Sequence, residues 1–426
     1  VSVPTSTPGV YTYALVSVED ASSTSCSQTQ TGGATVTINP LPTATVSGST
    51  TVCRDAAFPN ITFTGSLGTA PYIFTYTING GAQQTVTSSM TGIANVAVPT
   101  GTTGTFLYEL VSVRDASSTF CINGVTGNAT VTINPLPTAT ISGSTTVCRY
   151  DTSPGITFTG AGGTAPYTFV YTVNSGSNQI VSSDITGLVT IPASTTNTGT
   201  FTYALVSVED ASSTSCSQTQ AGSATIIVNP LPTAIISGTA EVCEDDPAPL
   251  ITFTGFSFSG FEPFTFTYTI NGGAPLQVTT TSGNSVNVPA PTGIPGTFIY
   301  ELLSVRDASS TTCEQTQSGS AVITVNPLPT ATISGSTEVC RFASSPYITF
   351  TGSGGTEPYT FIYQVNGGSY QSVSAASGSS ASVPVPTSTT GTYIYTLVSV
   401  QDASSTSCSS YPGGSATVEV NPLPEA

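Results

Sequence analysis

Apolar and polar residues alternate along many short stretches of the 426-residue chain. In one of them, Tyr72, Phe74 and Tyr76 are separated by single residues, Ile73 and Thr75. Successive side chains of a β-strand point to opposite faces, so this period of two predicts a strand with three rings on one face. Between two copies of the phrase NPLP, the pattern predicts seven strands: Thr43–Val46, Ile61–Thr64, Tyr72–Ile78, Gln84–Thr87, Asn95–Val98, Thr105–Val113 and Ala129–Ile133.

Turn signals separate these strands. Asn79-Gly80-Gly81 follows the third strand and predicts a hairpin, because Asn and Gly adopt positive φ at little cost. Seven short strands with such turns predict an all-β fold, an immunoglobulin-like sandwich of two sheets. A solenoid of short coils is the alternative, but its usual period is much shorter than the repeat found here.

The chain repeats itself. The phrase NPLP begins at Asn39, Asn134, Asn229, Asn326 and Asn421, with periods of 95, 95, 97 and 95 residues. We therefore expect residues 1–39 to be the C-terminal part of a truncated repeat, and residues 40–134, 135–229, 230–326 and 327–426 to be immunoglobulin-like repeats. Because the chain starts inside a repeat, we expect it to be part of a longer protein.

Short proline-rich linkers join the repeats. Proline fixes its own φ and pushes the preceding residue toward an extended conformation, so these linkers predict stiff joints and an extended rod. Leu41 lies between two of the prolines and is expected to find cover only between neighbouring repeats. The linker prolines are Pro40, Pro42, Pro135, Pro137, Pro230, Pro232, Pro327 and Pro329.

Composition narrows the class of protein. The formal net charge is -17, which disfavours nucleic acid as a partner because a phosphate backbone would be repelled. No stretch has the 18 or so continuous apolar residues that a membrane span needs. The chain has no His and no Lys, and its acidic residues form no recurring close pair, so the usual general bases and nucleophiles are missing and we expect no enzyme.

Nine cysteines at matched positions predict a disulfide framework and an oxidising, extracellular setting. Pairing within each repeat is the first hypothesis: Cys53 with Cys121, Cys148 with Cys216, Cys243 with Cys313 and Cys340 with Cys408, leaving Cys26 unpaired through truncation. Such pairing would give each repeat its own staple.

Two other pairings are alternatives to this one. Nearest neighbours such as Cys26 and Cys53 would have to be bridged along strands that run end to end, beyond the reach of a disulfide. In a simple immunoglobulin order, however, the two cysteines of one repeat lie at opposite poles unless the first strand crosses over. The first cysteine of one repeat could therefore meet the second cysteine of the next, as Cys53 with Cys216, and staple the repeats together.

Three recurring features are candidate sites. The aromatic triplet is either core or, if exposed, a platform for sugars, and we interpret it as core. A tyrosine in each sixth strand, such as Tyr108, fits a tyrosine corner. An aspartate such as Asp115 ends that strand and is interpreted as an Asx-type turn cap, since calcium would need more oxygens than it offers. Only the acidic group Glu241, Glu244, Asp245 and Asp246 approaches a calcium site, and no cofactor is expected.

The repeats resemble those of the giant surface adhesins of gliding Bacteroidetes, the SprB type, and the PKD-like and immunoglobulin-like repeats of exported proteins of that phylum. The resembling phrases are NPLPTATISGSTTVCR at 134–149, ITFTGAGG at 156–163 and YALVSVEDASSTSC at 203–216. The resemblance implies export by the type IX system, attachment at the outer membrane surface, and a filament carried by the gliding motor.

Three functions remain open at this point. The repeats could be a stalk that contacts only neighbouring repeats and spaces an adhesive tip from the cell. They could instead bind surface polysaccharide weakly and gain avidity from their number. They could also self-associate through sheet edges that lack lysine. The absence of Trp disfavours sugar binding, and we expect the stalk.

Overall fold

The computed structural model describes residues 1–258 and 260–425. The chain forms two compact units. The first contains Val1–Thr145, Ser153–Ser194 and Thr200–Ile226, and the second contains Thr146–Thr152, Thr195–Gly199 and Ile227–Ala426. All regular structure in the described residues is β-strand, and no helix there could span a membrane.

The truncated repeat contributes one antiparallel hairpin of β1 (Gly9–Glu19) and β2 (Ser27–Ile38). The first full repeat has eight strands: β3 (Thr43–Ser47), β4 (Thr50–Cys53), β5 (Asn60–Ser66), β6 (Ile73–Ile78), β7 (Gln84–Thr87), β8 (Ile93–Ala97), β9 (Gly104–Arg114) and β10 (Ile122–Asn134).

In the later repeats the last strand is interrupted, so each has nine strands. In the second repeat these are β11 (Thr138–Ser142), β12 (Thr145–Cys148), β13 (Gly155–Ala161), β14 (Tyr167–Val173), β15 (Gln179–Ser182), β16 (Leu188–Pro192), β17 (Gly199–Asp210), β18 (Ser217–Thr219) and β19 (Ser223–Asn229). In the third they are β20 (Thr233–Ser237), β21 (Ala240–Cys243), β22 (Leu250–Phe256), β23 (Thr265–Ile270), β24 (Leu276–Thr279), β25 (Ser285–Pro289), β26 (Gly296–Arg306), β27 (Glu314–Thr316) and β28 (Ser320–Asn326). In the fourth they are β29 (Thr330–Ser334), β30 (Thr337–Cys340), β31 (Tyr347–Ser353), β32 (Thr360–Val365), β33 (Gln371–Ser374), β34 (Ser380–Pro384), β35 (Gly391–Gln401), β36 (Ser409–Ser410) and β37 (Ser415–Asn421).

Each sandwich has a small and a large sheet. In the first repeat the small sheet has the order β3-β5-β8 and the large one the order β4-β10-β9-β6-β7. The third and fourth repeats repeat this order, with β20-β22-β25 and β29-β31-β34 as their small sheets. The predicted fold class, tandem immunoglobulin-like sandwiches, is confirmed. The residue boundaries of the repeats stay a prediction.

All seven predicted strands of the first repeat are confirmed, and so is the hairpin at Asn79, which joins β6 to β7. The eighth strand, β4, was not predicted. The chain leaves the small sheet after β3, turns at Gly48 and joins the large sheet, where β4 runs parallel to β10. Gly48 has a φ of 110°, and a Cβ there would lie 2.4 Å from the carbonyl oxygen of Asn60, so only glycine fits this crossover.

The aromatic triplet is core, as interpreted from its spacing. Tyr72, Phe74 and Tyr76 are all buried, and the ring of Phe63 from the opposite sheet packs against two of them, with centroids 5.6 Å from Phe74 and 5.0 Å from Tyr76. The equivalent rings in the other three repeats are buried in the same way. The triplets therefore offer no exposed platform to a sugar.

The recurring tyrosine of the sixth predicted strand also packs inward. Tyr108 is 3% exposed and its ring stacks on Tyr76 with centroids 6.0 Å apart. Among the described residues, no hydrogen bond of the Tyr108 hydroxyl to backbone is found, so the hydrogen bond expected of a tyrosine corner is not formed. The ring's contribution is apolar burial and stacking.

Burial of these phenols predicts alkaline unfolding. Desolvation raises the pKa of nine tyrosines above the ordinary value of about 10, because the core disfavours the phenolate: Tyr72, Tyr76, Tyr108, Tyr171, Tyr203, Tyr268, Tyr300, Tyr363 and Tyr395. Their contribution to stability is complete below the unfolded pKa and is lost as pH rises through the folded pKa.

An ultraviolet titration checks this prediction. We expect a late class of phenols that ionises above pH 10 together with the loss of β-structure, whereas in denaturant all 18 tyrosines should ionise together near pH 10. Ionisation of every tyrosine near pH 10 with the sheets intact would contradict the prediction.

Candidate functional site: the junctions between repeats

One pole of each sandwich carries a cysteine beside the asparagine of NPLP. In the first repeat, the parallel pairing of β4 with β10 places Cys53 opposite Asn134, and the amide of Arg54 donates to the carbonyl of Asn134 at 2.8 Å. The same pairing aligns Cys243 with Asn326. The cysteine therefore lies where the chain leaves one repeat for the next.

The opposite pole carries the loop with the sequence DASST. In the second repeat, one carboxylate oxygen of Asp210 accepts from the amide of Cys216 at 2.9 Å and from the Ser212 hydroxyl at 2.7 Å. The other accepts from the amide of Thr164 at 3.0 Å. The amide of Ser212 also donates to Asp210 at 3.3 Å, so the Asx-type turn cap that the sequence predicts is confirmed here.

Asp307 differs from its counterparts. Its first carboxylate oxygen accepts from the amides of Ser309 and Cys313 at 3.1 and 3.0 Å, but its second, buried oxygen has no partner among the described residues. In the other full repeats that oxygen accepts from a threonine amide. In the third repeat Phe261 stands where the other full repeats have that threonine: the amide of Ala308 donates to the carbonyl of Phe261, as the equivalent alanines donate to the threonine carbonyl.

These two poles meet at each junction. Cys53 forms a disulfide with Cys216 of the next repeat, with Cα atoms 5.6 Å apart, and Asn134 donates to the hydroxyl of Thr214 at 3.0 Å. The arrangement recurs twice, with the disulfides Cys148–Cys313 and Cys243–Cys408 and the hydrogen bonds Asn229–Thr311 and Asn326–Thr406, both 3.0 Å. Three junctions thus share one covalent and one hydrogen-bonded connection.

The prediction of pairing within each repeat is wrong. Cys53 lies level with Asn134 at the end of β10, whereas Cys121 immediately precedes its first residue, Ile122. A strand of that length spans about 40 Å, far more than a disulfide can bridge. A crossover of the first strand does occur, but it carries Cys53 to the far pole and so prevents the pairing. The alternative pairing, in which the first cysteine of one repeat bonds to the second cysteine of the next, is the correct one.

Three cysteines are free: Cys26, Cys121 and Cys340. Cys26 was expected to be free, but Cys121 and Cys340 were assigned to disulfides and are not in them. At a fourth junction, between the truncated repeat and the first full repeat, Asn39 donates to the hydroxyl of Thr119 at 2.9 Å. There the hydrogen bond forms without a disulfide beside it.

Counting thiols tests the pairing. The oxidised, denatured chain is expected to show three reactive thiols, whereas pairing within repeats would leave one. Cys148→Ser should raise the count to four and expose Cys313, which peptide mapping after alkylation identifies. Exposure of Cys216 in that variant would contradict the pairing described here.

The linker prolines contribute to the same junctions. The second proline of each linker is buried: Pro42, Pro137, Pro232 and Pro329. The leucine between the prolines is half-buried at Leu136, Leu231 and Leu328, but Leu41 is 57% exposed. The prediction that a neighbouring repeat covers Leu41 is therefore wrong. The buried residue of this linker is Pro42.

The acidic group of the third repeat is dispersed over separate contacts. The Asp246 carboxylate accepts from the amide of Cys243 at 2.8 Å, Glu244 accepts from the amide of Leu328 at 3.4 Å, and Glu241 accepts from the Ser405 hydroxyl. No group of three or more potential metal ligands occurs in the part of the chain that the structure describes. The expectation of no cofactor stays a prediction.

Sequence reasoning missed the hydrogen bond between asparagine and threonine. A signal was present, because the asparagine of each NPLP and the threonine of each DASST recur 80 to 82 residues apart. Spacing alone could not show that the two face each other, since that depends on which pole each occupies.

No family model and no curated protein matches this chain. Solved structures similar to it include a Ca²⁺-stabilised adhesin with which an Antarctic bacterium binds ice (17% identity, 90% of this chain and 100% of that one, TM-score 0.39). A tetra-tandem repeat from the extending region of a large adhesion protein (17%, 89% and 99%, 0.32) and titin I-band fragment I67–I69 (10%, 67% and 98%, 0.38) are also similar. At these TM-scores the likenesses carry no argument about function.

Proposed function

We propose that this chain is a spacer region of a secreted cell-surface adhesin, a stalk whose repeats hold other parts of the protein away from the cell. The observation that carries the proposal is the shared connection at three junctions, Cys53–Cys216 and its two equivalents. A protein that only binds ligands repeat by repeat has no need to fix each repeat to the next.

The surfaces of the repeats support a passive role. The aromatic triplets are buried, and the outward positions of the strands are largely Thr and Ser. The disulfides suit an oxidising environment outside the cell. The chain contains no His and no Lys, and we assign it no catalytic activity.

The setting proposed for this stalk rests on the resemblance of its repeated phrases. It is export by the type IX system of Bacteroidetes, attachment at the outer membrane, and a part in gliding motility or surface attachment. The partners of the repeats would be neighbouring repeats and the gliding or secretion apparatus.

Polysaccharide binding is the second candidate, and one feature of the third repeat favours it. A surface cavity of about 360 Å³ is lined by Leu231, Phe256, Phe258 and Phe264. Phe258 is fully exposed and Phe256 is 48% exposed. Exposed rings beside a cavity are the kind of surface on which a sugar ring could stack.

A binding measurement with two variants separates the candidates. The whole oxidised chain, its Phe256→Ala/Phe258→Ala variant and a Tyr370→Ala control with an exposed ring in another repeat are titrated with a panel of polysaccharides. The stalk predicts no saturable binding by any of the three. Saturable binding that only the double variant loses would establish the third-repeat loop as a sugar site and contradict a purely passive stalk.

Self-association is tested by sedimentation of the same chain. The edge strands β7, β24 and β33 of the large sheets are four residues long, and short edges resist pairing with another chain. We expect a monomer once the free thiols are alkylated, and a concentration-dependent oligomer would support a multi-chain filament instead.

A further inference from the structure

The three disulfides overlap along the sequence. Cys53–Cys216 encloses Cys148, and Cys148–Cys313 encloses Cys243. As a result, the shortest covalent route through the protein does not follow the backbone. From Cys53 it passes through sulfur to Cys216, along the backbone to Cys243, and through sulfur again to Cys408.

The backbone part of this route is already extended when the protein is folded. Residues 216–243 consist mainly of the strands β18, β19, β20 and β21. A strand rises about 3.3 Å per residue, close to the limit of about 3.6 Å for a fully stretched chain. Pulling on this segment can therefore lengthen it only slightly.

The strands that make up most of each sandwich lie off this route. Residues 53–216 and 243–408 are closed loops between bonded cysteines, and they include the buried triplets of all four full repeats. Tension applied to the two ends of the chain passes through the sulfur atoms and bypasses these loops. Their unfolding releases no length between the ends.

We propose that the disulfides make the part of the chain between Cys53 and Cys408 a tether of fixed length, in which tension is carried by segment 216–243 and by the two disulfides that flank it. The outer segments 1–53 and 408–426 lie in series with this tether, and the hairpin of β1 and β2 in the first of them still lengthens when it is pulled apart. The proposal rests on the stalk function only for its biological use, since the route follows from the covalent connections. It gives the pairing between repeats a mechanical role: a repeat that opens under load does not lengthen the stalk.

The third disulfide, Cys148–Cys313, belongs to a second route. It joins residues 121–148 to residues 313–340, and the ends of this route are the free cysteines Cys121 and Cys340. The short segments that cross from one repeat to the next, 26–53, 121–148, 216–243 and 313–340, thus alternate between two covalent routes. Only the first route, through Cys53–Cys216 and Cys243–Cys408, leads directly from the N-terminal segment 1–53 to the C-terminal segment 408–426.

Force spectroscopy on the whole chain tests the proposal. The free thiols are alkylated, handles are attached at both ends, and the final contour length is measured before and after reduction. The route through the disulfides predicts about 350 Å for the oxidised chain, and the backbone predicts about 1,500 Å after reduction, at about 3.6 Å per residue. Reduction should therefore lengthen the chain about fourfold.

Two double variants identify which bonds carry the tension. Cys148→Ser/Cys313→Ser removes a disulfide that is off the route and should leave the oxidised contour length unchanged. Cys53→Ser/Cys216→Ser removes a disulfide on the route, and the shortest path then runs through residues 1–148, 243–313 and 408–426, about 850 Å at the same length per residue.

Either of two results would overturn the proposal. One is an oxidised wild-type chain that lengthens in steps of about 300 Å, the release expected when a repeat of about 95 residues unfolds freely. The other is equal lengthening of both double variants. Neither depends on whether the repeats bind polysaccharide, so a failure of the stalk function would appear in the binding measurement and not here.

Discussion

Replacing both Cys148 and Cys313 by serine is expected to lower the free energy of unfolding of the repeats they join by about 5 kcal/mol. The reason is loop closure, because this disulfide joins residues 165 apart and so restricts the unfolded chain strongly. The hydrogen bond from Asn229 to Thr311 does not involve the cysteines and should remain.

Native-state hydrogen exchange measures this loss repeat by repeat. Amides in the second and third repeats should exchange between three and four orders of magnitude faster, since about 1.4 kcal/mol corresponds to a factor of ten. Cys340→Ser is the matched control, because Cys340 is exposed and unbonded and its replacement should change little. A double variant that exchanges no faster than this control would contradict the prediction.

Phe266→Ala is expected to destabilise the third repeat by about 3 to 5 kcal/mol. Phe266 has no exposed surface, and its ring centroid lies 5.6 Å from that of Phe253 on the opposite sheet and 6.5 Å from that of Phe264. The substitution removes ring contacts on both sides and leaves a cavity that the β-sheets cannot close.

Hydrogen exchange again gives the measurement, here as a loss of protection in β22, β23 and β26 that does not extend to the fourth repeat. Phe258→Ala is the control, since Phe258 is fully exposed in the same repeat and its replacement should change stability by about 0.5 kcal/mol or less. Equal effects of the two substitutions would show that the triplet is not the centre of the core.

The two predictions distinguish the contribution of a residue to folding stability from its contribution to carrying tension. The Cys148–Cys313 bond should stabilise its repeats strongly, yet its removal should leave the contour length under tension unchanged. Phe266 should likewise matter for folding and not for length. A stalk arranged in this way tolerates the opening of a repeat without changing its reach.

The patterns that depend on neighbouring residues were predictable from the sequence. The period of two placed Tyr72, Phe74 and Tyr76 on one face, and the interpretation of that face as core is confirmed by their burial. The aspartate of DASST was predictable as a turn cap because its hydrogen bonds reach residues two and six positions along the chain. Repetition at about 95 residues gave the tandem arrangement of β-sandwiches.

The junction required the tertiary structure. β4 is only four residues long, too short for its alternation to reveal a strand, and its parallel pairing with β10 joins residues about 80 apart in the sequence. That pairing decides which pole Cys53 occupies, and hence whether it can meet Cys121 or Cys216. Sequence alone determined that cysteines would pair and that the repeats are sandwiches; the partner of each cysteine was decided by the crossover at Gly48, because a disulfide forms only where two poles meet within about 7 Å.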